Sequence, residues 1–262
     1  MIMQKTSPIY KTTCVTKITF ALFLILLFWR MVILQGMAIQ QGIVPFSAEV
    51  IYICASYGLI SVIVWLNRMD LQSLNIDSKF IILFVAVGYL YSLILPVKSG
   101  VFLALVATVI LWLLSSNKLQ FEYVSSRFRQ TALFILIILA PQFIRLIIII
   151  LRGSLTLPDA KTIIEAVYTA SFTNIIFEEV VYRGLLWMFL ARAGLKGHQI
   201  IVTQAIFFWL SHLYYFNSNP IAFWFFVPFV SIMLGIIILR SKKILPSIVG
   251  HFLYNLFATL FQ

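Results

Sequence analysis

The sequence predicts an all-α fold: a polytopic transmembrane helix bundle of about eight helices, within a range of about seven to nine. Three observations carry that expectation. The chain is 62% hydrophobic and only 10% charged, where soluble domains carry about 25% charge. Its apolar residues fall into runs long enough to cross a bilayer, which takes ~17–25 residues. Its basic residues alternate between the two sides that those runs define.

The runs lie near 16–37, 46–66, 79–96, 99–115, 130–151, 161–191, 199–214, 220–239 and 243–261. Several are at the short limit for a span, which sets the lower counts. The first is longer than the apolar core of a signal peptide, and no small-residue cleavage site follows it, so it is expected to stay as an anchor. Pro141 and Pro228 fall inside runs and predict tolerated kinks. Asn217, Ser218, Asn219 and Pro220 form a polar turn, and Pro246 opens the last helix.

The net charge of +11 reads as topology. With nine spans and a cytoplasmic N-terminus, the inner side holds 13 basic residues: Lys5, Lys11, Lys17, Arg68, Lys79, Lys118, Arg127, Arg129, Arg192, Lys196, Arg240, Lys242 and Lys243. The outer side holds three, Lys98, Arg152 and Lys161. That bias follows the positive-inside rule and predicts a multi-pass protein of the cell membrane. The basic residues are scattered through short loops and form no stripe, which excludes nucleic acid as an expected partner. Cys14 and Cys54 are the only cysteines. They fall in different settings, the cytoplasmic side and the second run, and predict neither a disulfide nor a metal site.

No loop is long enough for a soluble domain, so one membrane domain is expected. It divides by content. Residues 1–160 hold few intramembrane ionisable groups (Arg30, Glu49, Arg145), whereas 161–262 hold Glu165, Glu178, Glu179, Arg183 and all three histidines. His198 follows Lys196 and Gly197 in an expected loop and reads as solvated. Arg30 and Arg145 are expected to snorkel toward an interface. Trp187, Trp209, Tyr214 and Tyr215 read as packing or interface anchors.

Charges inside a bilayer are costly, about 3 kcal/mol each at a helix centre, and mark function by default. Glu178 and Glu179 are two of only 8 acidic residues, and Arg183 lies four positions after the second. On an α-helix Glu179 and Arg183 share a face and can pair. Glu178 projects ~100° away and is expected to face a different partner. Two further helices bring Phe208-x-x-x-His212 and His251-x-x-x-Asn255, the latter pair one turn apart on one face. Taken singly, these residues have plainer roles: a structural ion pair, or polar groups that join helices. Taken together, they suit hydrolysis. A carboxylate with a histidine can hold and deprotonate water, and His251 with Asn255 can donate to an oxyanion. Glu179 and Arg183 would orient that set, and Phe208 would wall it. Glu178, His212 and His251 could instead hold a divalent metal such as zinc, although no HExxH is present.

Glu-Glu-x-x-x-Arg, Phe-x-x-x-His and His-x-x-x-Asn, in that order on successive apolar segments, resemble the CAAX-protease and bacteriocin-processing family (CPBP, also called Abi) of intramembrane proteases. The resemblance spans roughly 161–262. It implies a bundle of eight-helix type with its site in the cytoplasmic half of the membrane. Glu178 and His212 would activate water, His251 and Asn255 would form the oxyanion hole, and Glu179 and Arg183 would support them. It favours a glutamate-dependent mechanism with no cofactor over a metal. The implied partners are the lipid bilayer and a membrane-associated peptide or protein substrate. Eukaryotic members remove three residues after a prenylated cysteine. Bacterial members are tied to pheromone or leader-peptide maturation, bacteriocin immunity and modulation of sensor proteins. A non-catalytic immunity or sensor-modulating protein of the same fold is the alternative. A transporter is disfavoured, because the chain shows no repeated halves and no paired broken helices.

Overall fold

A computed structural model describes residues 17–25, 27–28, 58–60, 62–72, 125–155, 158–169, 175 and 178–260. The expected spans 79–96 and 99–115, most of 46–66, and Cys14, Arg30, Glu49, Cys54 and the Glu165 side chain lie outside the described residues. Among the described residues all regular structure is helical. The elements are α1 (Arg68–Leu71), α2 (Ser125–Leu151), α3 (Ala160–Thr169), π1 (Glu179–Leu186), α4 (Trp187–Arg192), α5 (Gly197–Leu210), α6 (Tyr215–Ser218), π2 (Ala222–Phe226), α7 (Val227–Ser241) and α8 (Leu245–Leu260).

Two described helices are long and apolar enough to cross a membrane, Arg129–Leu151 and Ala222–Ser241, and Leu245–Leu260 is a shorter apolar helix. The first carries its apolar residues outward: Leu133, Leu136, Ile144 and Ile147 are all exposed. A helix that is apolar all round and unburied has lipid as its solvent. Pro141 sits inside α2 without ending it.

Helix α7 is the hub. It packs on α5, α2 and α8, while α2 and α3 also pack on α8. Ile138 of α2 meets Val230, Leu234 and Ile237 of α7 in one buried cluster. A second cluster joins Phe23, Ile63 and Leu71 to Leu185, Leu186 and Phe189. Helices α5 and α7 approach closely at Gly235. A Cβ there would lie 2.8 Å from Gln204 Nε2 and 3.2 Å from Ile201 Cγ2, so a small residue sets the spacing.

The ends follow local chemistry. Helix α4 stops at Gly194, whose φ of +87° suits glycine. Leu195 N–H then caps the Leu190 carbonyl. Helix α5 starts after Lys196, whose N–H donates to Gln199 Oε1 at 2.8 Å. His198 lies in the first turn of α5 and not in a loop, and it is exposed as expected. Asn219 Oδ1 accepts from Ala222 N–H at 3.1 Å, with Pro220 opening the next helix. Lys242, at φ +56°, ends α7, and Pro246 lies in the first turn of α8.

Pro228 has a specific consequence. In π2 the Val227 N–H bonds the Ala222 carbonyl, an i→i−5 step. The same step would pair the Phe223 carbonyl with residue 228, which has no N–H. Trp209 Nε1 donates to that carbonyl instead, at 2.8 Å. Trp209 thus supplies the hydrogen bond that the proline removes.

Arg192, at the end of α4, donates from one guanidinium nitrogen to Asn67 Oδ1 at 2.8 Å and from the other to Asp70. This clasp ties the end of α4 to α1 and to Asn67 just before it.

Candidate active site

Glu178 precedes a π-helix. The i→i+5 bonds of π1 widen the turn, so successive side chains diverge by less than the ~100° of an α-helix. Glu178 and Glu179 lie at different nitrogens of one imidazole. Both acids reach His251. Glu179 Oε1 lies 2.8 Å from His251 Nδ1, and Glu178 Oε2 lies 3.9 Å from His251 Nε2. An ionised carboxylate only accepts, so Nδ1 carries the proton it gives to Glu179, and Nε2 faces Glu178.

Glu179 is fully buried; it accepts hydrogen bonds from His251 and Ser247 and forms an ion pair with Arg183. Arg183 Nη1 lies 3.2 Å from Oε1, as the i,i+4 spacing predicts, and Ser247 donates its hydroxyl to Oε2. Arg183, also fully buried, reaches α7, where its Nη2 donates to Ser231 Oγ at 2.8 Å. Gln204 Nε2 donates to the Ser231 carbonyl at 3.0 Å. The ion pair, two hydrogen bonds to Glu179 and one from Arg183 Nη2 offset part of the cost of burying both charges; among the described residues Arg183 Nε and Nη1 make no hydrogen bond.

Phe208 is a junction. The Arg183 guanidinium lies 4.2 Å from its ring centroid, a cation–π contact. The His212 ring is 4.4 Å away and the His251 ring 5.8 Å. Phe208 therefore touches the base of the supporting pair and both motif histidines, which is more than the wall expected of it.

His212 follows the last turn of α5, where backbone carbonyls lack helical partners. The Phe208 carbonyl accepts from Ser211 Oγ at 2.7 Å and lies 2.8 Å from His212 Nδ1. A carbonyl cannot donate, so His212 Nδ1 holds the proton and Nε2 is the basic nitrogen of the neutral ring. Tyr215 stacks on the His212 ring at 5.9 Å and Tyr214 lies at 5.6 Å. These tyrosines, read from sequence as packing or interface anchors, pack on the His212 ring. Asn255 lies one turn after His251 on α8 and is half-buried. Its carbonyl accepts from Thr259 Oγ1 at 2.9 Å.

The three motifs thus meet through π1, α5 and α8. Residues 160–257 match the Rce1-like family, type II CAAX prenyl endopeptidases.

That match bears out the resemblance carried by the motifs, and places the described site within an Rce1-like region from a family of membrane proteases. No curated protein and no solved structure matches the chain.

Three residues that pack around the Glu179–Arg183 pair escaped the sequence reading: Ser231, Ser247 and Gln204. Ser247 had an available signal, because Ser247, His251 and Asn255 repeat at i, i+4, i+8 on one helix face. Ser231 and Gln204 had none. Among the described residues, no three His, Cys, Asp or Glu side chains converge to hold a metal. His251 Nδ1 is directed at Glu179, which leaves its Nε2 on the side of Glu178.

Proposed function

We propose that this protein is an intramembrane endopeptidase that cuts a membrane-associated peptide or protein. The observation that carries the reading is the meeting of Glu178 and His251 beside a buried Glu179–Arg183 pair, with His212 one aromatic ring away.

Glu178 is the general base, sharing the water with His212 Nε2. Water oxygen attacks the scissile carbonyl carbon, and Glu178 takes the proton. The oxyanion that forms is met by His251 Nε2–H and the Asn255 amide. For that donation His251 carries both ring protons, and the charges of Glu178, Glu179, Arg183 and His251 then sum to zero. Collapse of the intermediate breaks the C–N bond, and Glu178 returns its proton to the departing amine. Glu179 and Arg183 hold His251 in place and touch no substrate. In this reading the water is activated by Glu178 and His212 without a metal. The chain crosses the cell membrane about eight times with its N-terminus in the cytoplasm.

The family's description makes a peptide ending in a prenylated cysteine and three further residues the first probe. Purified protein is expected to cleave it, while Glu178→Gln and His212→Ala stop cleavage with unchanged elution from a sizing column. The same chelator-washed active preparation should hold no stoichiometric zinc by elemental analysis. Peptides that accumulate in Glu178→Gln membranes but not in wild-type membranes would name the natural substrate. Full biological activity in both variants would replace the protease reading with a non-catalytic immunity or sensor-modulating role.

A further inference from the structure

We propose that Ser247 is a positioning residue: its hydroxyl holds Glu179 so that His251 presents Nε2, and only Nε2, to the reacting atoms. The kinetic part of this inference rests on the protease reading; the geometric part does not.

A terminal carboxylate torsion is soft and nearly two-fold. Glu179 therefore needs a donor on each oxygen to stay in one orientation. Arg183 and His251 both address Oε1. Ser247 is the donor on Oε2 among the described residues. Ser247 is fully buried, so its hydroxyl has no water to turn to. Its place on α8 is one turn before His251. The helix thus sets two donors, a hydroxyl and an imidazole N–H, at the spacing of the two oxygens of one carboxylate. Remove the hydroxyl and the carboxylate can turn. His251 then loses the fixed acceptor for its Nδ1–H, and the ring can turn so that Nε2 no longer points at the reacting position. Ser247 itself reaches neither Glu178 nor the reacting position; it acts through Glu179.

The test separates this inference from the protease reading. In the full chain carrying His198→Gln and His212→Gln, His251 is the one histidine left. Its two ¹⁵N shifts, recorded in detergent micelles, report which nitrogen is protonated without any turnover. The expected result is a hydrogen-bonded Nδ1–H with Ser247 present, an Nδ1 shift moved toward that of a free ring after Ser247→Ala, and the original pattern with Ser247→Thr. In the otherwise unaltered chain, Ser247→Ala should lower kcat on the prenylated peptide about tenfold with little change in KM, as losses of an orienting partner do. Ser247→Thr should recover most of the rate. An Ala variant with unchanged ring shifts overturns the proposal. So does a folded Thr variant that behaves like Ala, since the hydroxyl would then not matter. If the wild type cleaves no probe while the shifts behave as expected, the protease reading falls and the positioning role stands.

Discussion

At Glu179 one carboxylate organises residues from three separate helices: Arg183 on its own π-helix, and Ser247 and His251 on α8, with Ser231 of α7 holding the far side of Arg183. Removing either charge of the pair leaves the other buried and unmatched. Glu179→Ala or Arg183→Ala should therefore cost about 3–5 kcal/mol of stability, measured as a lowered unfolding midpoint in detergent. Glu178→Gln keeps the volume and touches a nitrogen 3.9 Å away, so its midpoint should move far less. The charged residues were legible in the sequence because hydropathy makes each one conspicuous. Ser247, Ser231 and Gln204 were not, because a neutral residue in an apolar helix breaks no pattern. The π-turn was not legible either, because apolar flanks fit an i→i+5 turn as well as an i→i+4 one.

Helices could be read from apolar runs, and their starts from Pro246 and the Asn217–Pro220 turn. The close packing of α5 on α7 could not, since Gly235 looks like any glycine in a membrane segment. Gly235 and Gly197 give a paired prediction. A Cβ at Gly197 would meet Leu239 Cδ1 at 2.6 Å, the free end of a side chain that can rotate. A Cβ at Gly235 would meet Gln204 Nε2, which is tied to the Ile201 and Ser231 carbonyls. Gly235→Ala is expected to destabilise by about 1–3 kcal/mol, the cost of leaving buried polar groups unsatisfied. Gly197→Ala should be close to neutral, and thermal unfolding of the two variants side by side checks the contrast. Pro228 was read as a tolerated kink. Its tolerance has a named cause, the Trp209 indole on the Phe223 carbonyl.

For the molecule as a whole, the alternation of basic loops makes a directional prediction. With Cys14 and Cys54 replaced, a single cysteine at His198 should react with a membrane-impermeant thiol reagent only from the cytoplasmic side. One at Ser218 should react only from the opposite side. Labelling of both from one face would overturn the assigned topology. Such an assignment is readable from sequence because loop charge is a surface property and needs no knowledge of packing. The packing that brings three distant motifs together is a property of helix contacts, and only the coordinates carry it.

The clasp of Arg192 by Asn67 and Asp70 bears on how far the family-matched stretch can stand alone. Residues 160–257 contain the motifs, but not the helix α2 that backs α7 and α8, nor the acceptors that secure the end of α4. Phe20 and Phe23 also pack against Phe189, on the helix that continues from the glutamates. The described residues of the first half thus pack against the second as its support. A gene trimmed to the recognisable region would encode the chemistry without its walls, and minimal versions of this protein should be shortened from within loops rather than from the front.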